Sequence, residues 1–320
     1  MALLGEGEYT YEATDGDWGR LPQGWFYREA TSVAVDSEDR VYVFNRGNHP
    51  MIVFDPEGNV LRAWGEGVFL NPHSVTVAPD DTVWCVDNQD HSIRQFSPEG
   101  RLLRTLNEPG RCAPAMSGRP VCGPARVAID PRNGEVLVAD GYGNARVHRF
   151  SPDGRRLLAS WGESGTAPGQ FNIVHDIDID PEGRIYIADR ENRRVQVFDP
   201  QGRLEARWGD FSRAAAVHVA KSGKRLVFVG EYFGGGTEAY ATARRLGPRL
   251  SILDGNGRML ARLGDESYGE APGRFWAPHA IALDSRGDIY VAEVSFAEFG
   301  SKMDPPHELR SMQKLMRCGG

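Results

Sequence analysis

The chain has 320 residues, of which 40% are hydrophobic and 25% charged, so it can bury a large core, and we interpret residues 1–320 as one domain. Its formal net charge of −7 disfavours nucleic acid and anionic membranes as partners, because both require clustered Lys and Arg. No stretch approaches the roughly 18 apolar residues of a membrane span, and no signal-peptide pattern opens the chain, so we expect a cytoplasmic protein.

A repeated unit dominates the chain. Residues 30–65 (ATSVAVDSEDRVYVFNRGNHPMIVFDPEGNVLRAWG) and 174–209 (VHDIDIDPEGRIYIADRENRRVQVFDPQGRLEARWG) follow one plan, and 72–107 and 124–162 repeat it. Each unit contains four β-rich runs separated by turns of Gly, Pro, Asp and Asn. Four strands in about 40 residues are typical of a propeller blade.

Two further units complete the series. The fifth begins near Ala215 and carries an insertion at 234–248 before its third strand. The sixth begins at Pro278 and then departs from the pattern of the other units. The sequence therefore predicts an all-β protein, a six-bladed β-propeller of repeated four-stranded units.

The two ends of the chain are predicted to share the sixth blade. Its third strand is predicted within residues 308–318, with an amphipathic helix over 307–317 as the alternative. Its fourth strand is predicted at residues 9–13, running into 17–19, which match the end of the fourth unit. Pairing N- and C-terminal strands in one blade would close the ring and remove exposed sheet edges.

One repeat position lies just before the first alternating run of each unit, and we call it the histidine position. In the six units it is filled by Thr31, His73, Ala125, His175, Ala215 and His279. The three histidines alternate with other residues at spacings of 102 and 104 residues. Since first strands line a propeller channel, we expect the imidazoles to meet there and bind a divalent metal, with zinc favoured and one coordination position open. The alternative is that they are ordinary polar strand residues.

Residues that end the second strand are expected near the histidine position, because the first two strands are antiparallel. This set includes Arg46, Tyr142 and Arg190. An arginine fork suits a substrate carboxylate, and a tyrosine beside positive charges can act as a general base. Ion pairs between blades are the alternative for these three, and the favoured interpretation for Asp140 and Asp189.

The four cysteines are expected to be thiols in a cytoplasmic protein. Cys85 lies in a predicted strand and is assigned to the core. Cys112 and Cys122 flank a loop rich in Pro and Gly, and pairing on oxidation is the less favoured alternative for them.

The units resemble NHL-repeat propellers, and the site resembles that of peptidyl-α-hydroxyglycine α-amidating lyases. The resemblance is carried by residues 43–49 (VFNRGNH), 71–74 (NPHS), 130–146 (DPRNGEVLVADGYGNAR), 161–175 (WGESGTAPGQFNIVH), 188–196 (ADRENRRVQ) and 277–281 (APHAI). It implies zinc on the three histidines, a base at Tyr142 and active-site arginines at Arg46 and Arg190.

Some positions depart from that family. Ala280 replaces an acidic residue after the third histidine, so the family's structural calcium is not expected here. Cys122 matches a disulfide cysteine of the family, but the partner position is Gly143.

These features together predict a metal-dependent lyase. Its substrate would be a small α-hydroxy-amide (carbinolamide) or related hydroxy acid that bears a carboxylate. Two alternatives remain: a hydrolase or hydratase that uses the same metal, and a non-catalytic NHL propeller that binds a ligand.

Overall fold

The computed structural model describes residues 1–14, 18–234, 247–265 and 267–318. Most of the predicted insertion at 234–248, and Asp17 of the predicted N-terminal segment, lie outside the described residues. The chain divides into two compact units, residues 1–66 with 211–320 and residues 67–210. The prediction of a single domain stays a prediction.

The strands follow the predicted repeats. The N-terminal strands are β1 (Ala2–Leu4) and β2 (Tyr11–Ala13), and blade 1 contains β3 (Ala30–Val35), β4 (Val41–Asn45), β5 (Met51–Phe54) and β6 (Val60–Trp64). Blade 2 contains β7 (Pro72–Val77), β8 (Val83–Asp87), β9 (Ser92–Phe96) and β10 (Leu102–Asn107). Blade 3 contains β11 (Arg126–Ile129), β12 (Val136–Asp140), β13 (Arg146–Phe150) and β14 (Leu157–Trp161).

The second half of the chain continues in the same way. Blade 4 contains β15 (Val174–Ile179), β16 (Ile185–Asp189), β17 (Arg194–Phe198) and β18 (Leu204–Trp208). Blade 5 contains β19 (Arg213–Val219), β20 (Leu226–Tyr232), β21 (Arg249–Asp254) and β22 (Met259–Leu263). Blade 6 contains β23 (Pro278–Leu283), β24 (Ile289–Glu293) and β25 (Met312–Arg317), joined by β2 and β1.

These six antiparallel sheets are the blades of a six-bladed β-propeller, as the repeats predict. Blades 2, 3 and 4 form the unit of residues 67–210, and blades 1, 5 and 6 form the other. Short helices are found at Gly7–Tyr9, Ser295–Glu298 and Gly300–Lys302. Among the described residues, no helix has the length and apolar character needed to cross a membrane.

Burial decreases across each blade from the second strand to the fourth. Every residue of β4, β8, β12, β16 and β24 is buried, which explains why these strands are nearly continuous runs of Val, Ile, Ala and aromatic residues. The fourth strand β18 instead alternates between partly buried and exposed residues. Strand β18 therefore keeps a period-two pattern of exposure, as expected for a strand with one face towards solvent.

The Asp-Pro-Glu-Gly sequence before the fourth strand of blade 1 forms a tight turn. The Gly58 amide donates to the Asp55 carbonyl at 3.0 Å, and the Asp55 amide donates to the Asn59 carbonyl at 2.9 Å. Gly58 has a φ of 91°, which side-chain-bearing residues rarely adopt. The requirement for glycine here explains its recurrence in the repeats.

The two ends of the chain meet in blade 6. Strand β25 pairs with β24 on one side and with β2 on the other, where Ala13 lies opposite Leu315. The predicted strand within 308–318 is confirmed, and the helix alternative over 307–317 is wrong. The sequence did not predict β1, which pairs with β2 as a fifth strand.

The N-terminal strand should support this sheet. Tyr11, Ala13 and Leu315 are 2% exposed or less and belong to one apolar cluster. Deleting residues 1–13 would uncover the edge of β25 and expose these side chains, so we expect the melting temperature (Tm) to fall by about 5 °C or more and aggregation to increase.

Deletion of residues 1–4 is the matched control, because it removes β1 but leaves β2 over β25. Scanning calorimetry and light scattering would compare the two truncations. Equal Tm values for the full chain and the 1–13 deletion would disprove this role for β2.

Candidate functional site

Each of the three predicted metal ligands is the second residue of a first strand, and the strand pairing skips it. Pro72 pairs with Asp87 and the next pair joins Ser74 to Val86, which leaves His73 at a β-bulge. The ladder also skips His175 and His279. A bulge redirects a side chain relative to its strand. The pairing also skips Thr31 and Ala215, so the histidine position is a bulge in five blades.

A buried carboxylate fixes the backbone that leads to this bulge. In five blades the acid at or next to the end of the second strand accepts the amide hydrogen of the residue three before the histidine position. The pairs are Asp87 with Leu70, Asp140 with Cys122, Asp189 with Asn172, Glu231 with Ser212, and Glu293 with Trp276. All five acids are fully buried.

This role corrects the sequence interpretation of Asp140 and Asp189 as partners in ion pairs between blades. Besides backbone amides, Asp140 binds His148 at 3.1 Å, and Asp189 binds Arg194 at 2.7 Å, both within their own blades. The repeated acid was visible in the sequence, but its bonds to backbone amides were not, because they depend on the bulge geometry.

A second bond joins the same two segments. The amides of Arg46, Tyr142 and Arg190 donate to carbonyls at 3.1 Å in each case. The acceptors are Glu29, Gly123 and Ile173, each two residues before a histidine position. Val294 makes the equivalent bond to Ala277 at 3.2 Å. The three residues predicted from the ends of second strands therefore have the same backbone contact, each next to a histidine position.

Within residues 67–210, two of the histidines and the tyrosine come together. The ring centroids of His73 and His175 are 5.2 Å apart, and each histidine has a ring nitrogen within 4.8 Å of one on the other. The Tyr142 hydroxyl lies 3.0 Å from Nε2 of His73. Both histidines are 2% exposed, whereas Tyr142 is 37% exposed. A solvent-accessible phenol thus meets two buried imidazoles.

Hydrogen bonds define the tautomer of two histidines. Nδ1 of His73 lies 2.7 Å from the Ala125 carbonyl oxygen, and Nδ1 of His279 lies 2.7 Å from that of Thr31. A carbonyl only accepts, so each Nδ1 carries the hydrogen and each neutral ring keeps its lone pair on Nε2. Ligating histidines in metal sites are commonly oriented by this kind of bond.

The two predicted arginines differ in their surroundings. Nη1 of Arg190 lies 3.4 Å from the Tyr142 hydroxyl, and its Nε donates to Glu191 at 2.8 Å. Nη1 of Arg46 instead donates to Glu29 at 2.6 Å, and the Glu29 carboxylate is buried. Sequence reasoning missed Glu29, which adjoins the alternating run and carries no repeat signature.

Cys112 and Cys122 form a disulfide, which corrects the expectation that both are thiols. Cys85 is buried in β8 as predicted, and burial raises the pKa of its thiol. The family that the site resembles has a disulfide cysteine at the position of Gly143. A Cβ at this position would overlap the Cys122 carbonyl, so a cysteine does not fit here.

Glu293 is the carboxylate of blade 6, and its ionisation is unfavourable. Its Oε2 accepts the amides of Trp276 at 2.6 Å and Ala277 at 3.0 Å. Burial raises the pKa of Glu293 to about 7, although Arg310 and the two amides act in the opposite direction. Desolvation of the charged form outweighs these contacts.

Glu293 should make stability depend on pH. Its folded-state pKa of about 7 exceeds the ordinary value of 4.5, so the folded chain binds more protons between these two pH values. The free energy of unfolding should therefore fall as pH rises through this window, by on the order of 3 kcal/mol at most. Glu293→Gln, which cannot ionise, should flatten this dependence.

Urea unfolding at about pH 5 and about pH 7.5 would measure the effect. Glu57→Gln, at an exposed turn acid, is the control and should keep the wild-type slope. Identical pH dependence in wild type and Glu293→Gln would refute the assignment.

Comparisons with a family model and with individual proteins both identify NHL-repeat relatives. An NHL repeat model matches residues 121–150 and 171–198. NHL repeat-containing protein 3 of Homo sapiens is 33% identical over 303 residues, covering 88% of this chain and 80% of that protein. Peptidyl-alpha-hydroxyglycine alpha-amidating lyase 1 of Drosophila melanogaster is 31% identical over 56% of this chain and 34% of its own length.

A longer relative covers more of the chain. Peptidyl-glycine alpha-amidating monooxygenase B of Xenopus laevis is 28% identical over 91% of this chain. The chain spans 35% of that protein, so it corresponds to about a third of the amidating relatives.

The fold also matches a solved structure. A streptogramin B lyase structure superposes with a TM-score of 0.58 at 12% identity, covering 97% of this chain and 99% of that one. At this identity the likeness shows the shared fold alone.

Proposed function

Because the chain belongs to the NHL-repeat family that includes NHL repeat-containing protein 3, and also has relatives named as amidating lyases, we propose that it is a metal-dependent lyase. The substrate would be a small α-hydroxy-amide or related hydroxy acid with a carboxylate. The observation that carries the proposal is the Tyr142 hydroxyl, 3.0 Å from Nε2 of His73 and 3.4 Å from Arg190.

We assign the metal to His73, His175 and His279. Three neutral imidazoles suit zinc, whose nitrogen ligands lie at about 2.0–2.1 Å. The donor set fits, since the Nδ1 bonds of His73 and His279 place the lone pair of each neutral ring on Nε2, and at His73 a metal would take the place of the Tyr142 hydroxyl at that atom. The equivalent bulges at all three histidines support His279 as the third ligand. A divalent ion bound there would stabilise negative charge developing on the substrate hydroxyl oxygen.

Tyr142 would take the proton of that hydroxyl. Tyr142 is 37% exposed, so a substrate can reach its side chain without unfolding of the blade. The backbone bond from Tyr142 to Gly123 and the contact with Arg190 orient the phenol. As the carbonyl forms, the C–N bond breaks and the nitrogen takes up a proton, giving an amide and a glyoxylate-type aldehyde.

Arg190 and Arg46 would bind the substrate carboxylate. Both follow a second strand and make the same backbone bond next to a histidine position. A guanidinium pairs well with a carboxylate because its N–H donors match the two oxygens. The Arg190 guanidinium also lies 5.7 Å from the Tyr142 ring centroid, which supports a carboxylate held near the proposed base.

Removing a metal ligand should abolish metal binding without unfolding the blades. We expect purified chain to carry about one zinc, and His73→Ala, His175→Ala or His279→Ala to lower bound metal at least about tenfold. Elemental analysis by plasma mass spectrometry would measure this. His307→Ala, at an exposed histidine, is the control. Wild-type chain that binds no metal on titration would exclude the lyase and the metal-dependent hydrolase alike, leaving a non-catalytic propeller.

Tyr142→Phe should remove the base while keeping the ring. With N-benzoyl-α-hydroxyglycine as probe, we expect kcat to fall about 10²–10⁴-fold at unchanged metal content. A separate variant, Arg190→Ala, should raise KM for the same probe, since it would lose a contact with the probe's carboxylate. Chromatography of benzamide and glyoxylate would follow the reaction, with Tyr9→Phe as the control for losing a phenolic hydroxyl.

The same assay separates the two metal-dependent alternatives. Near-wild-type turnover in Tyr142→Phe would contradict the lyase mechanism. Release of benzoate that carries oxygen from labelled water would favour the hydrolase, because hydrolysis of the amide bond places solvent oxygen in the acid. Lyase cleavage instead releases benzamide, whose oxygen comes from the probe.

A further inference from the structure

The Cys112–Cys122 disulfide lies at the backbone contacts that hold Tyr142. Cys122 is the residue whose amide donates to both oxygens of the buried Asp140, at 2.9 and 3.1 Å. The next residue, Gly123, accepts the Tyr142 amide at its carbonyl oxygen at 3.1 Å. Among the described residues, blade 3 therefore differs from the other blades because a disulfide lies next to its histidine position.

The loop closed by the disulfide packs along the turn that carries Tyr142. The Met116 amide donates to the Gly143 carbonyl at 2.7 Å. Asn144 accepts the Gly118 amide at 3.2 Å and donates to the Arg119 carbonyl at 2.8 Å. We call residues 112–123 the clamp loop. Its hydrogen bonds reach both residues that follow Tyr142 in the chain.

His91 supports the clamp loop from blade 2. Its Nδ1 accepts the Gly123 amide at 3.1 Å, so the neutral ring carries its hydrogen on Nε2. A ring nitrogen of His91 lies within 4.8 Å of both sulfurs, which also raises the idea of a metal bound by the reduced cysteines. The Gly123 bond uses the Nδ1 lone pair, which favours a structural role for His91.

We propose that the disulfide regulates the site by holding Tyr142 in position, and that a dithiol reductant releases it. This regulation rests on the proposed lyase function, but the clamp itself does not. Cys112 is exposed and Cys122 is buried, so a thiolate would attack the Cys112 sulfur and displace Cys122. A second thiol of the reductant then frees Cys112, yielding two protein thiols and one reductant disulfide.

Loss of the crosslink should loosen the clamp loop, because the covalent bond restricts the open conformations available to it. The Tyr142 amide would then open to solvent more often, and the phenol would spend less time beside His73. A compartment with a reducing thiol pool would open the disulfide, whereas an oxidising one would keep it closed. Oxidation would favour the active arrangement and reduction the loosened one.

Hydrogen exchange measured by mass spectrometry tests the clamp without any substrate. After reduction with tris(2-carboxyethyl)phosphine, amides of residues 116–123 and 142–144 should exchange about tenfold faster or more. Strands β16 and β17 should be unchanged, since they lie in blade 4. The Cys112→Ser variant should show the faster exchange without reductant. The control variant Cys318→Ser changes a free, partly exposed cysteine, and its exchange should respond to reductant as that of the wild type does.

Unchanged exchange at 142–144 on reduction would overturn the proposal. Faster exchange throughout β16 and β17 would also overturn it, because the disulfide would then stabilise the whole unit rather than the Tyr142 turn. With N-benzoyl-α-hydroxyglycine, reduction should lower wild-type kcat reversibly and leave Cys112→Ser unaffected. If exchange changes as expected but neither redox state turns over the probe, the clamp stands and the lyase function fails.

Discussion

A carboxylate buried at the end of the second strand, bonded to a backbone amide three residues before the histidine position, is the contact on which the site depends. Burying such a group is costly unless its oxygens are hydrogen-bonded. The bonds from Asp87 to Leu70 and from Asp189 to Asn172 meet this requirement inside the blade. Because the same contact recurs in blades 2 to 6, it holds the backbone next to the histidine position in all five of these blades.

In these blades the backbone contacts next to the histidine position recur, whereas the side chains that could take part in chemistry differ. The bulge recurs in blades 1, 2, 4, 5 and 6, and the carboxylate bond recurs in blades 2 to 6. The side chains at the histidine position and after the second strand vary. Blade 3 has Ala125 at the first position and Tyr142 near the second, whereas blade 4 has His175 and Arg190. Two side chains per blade thus determine what each joint contributes, which explains how propellers of one design acquire different activities.

The sequence predicted the blades and the histidine position because both depend on periodicity, which survives in the order of residues. It predicted the strand at Met312–Arg317 from its match to the fourth unit. Contacts that depend on backbone shape were not predictable in this way. The carboxylates could be identified as repeated acids, but their amide partners could not, and the Cys112–Cys122 bond required the spatial proximity that the clamp loop creates.

Blade 1 shows how the joint tolerates a change of charge. Asn45 stands where five blades have an acid, and its Nδ2 donates to the His49 carbonyl at 2.8 Å. The buried carboxylate is supplied by Glu29, which binds Arg46 at 2.6 Å and the Ala297 amide at 2.7 Å. Since a buried carboxylate needs a cation or amide donors, Arg46 serves the fold as well as any ligand. Arg190 donates to the partly exposed Glu191 at 2.8 Å and lies 3.4 Å from the Tyr142 hydroxyl. Of the two arginines, Arg190 is therefore the one whose observed contacts reach the proposed base, whereas those of Arg46 reach a buried carboxylate.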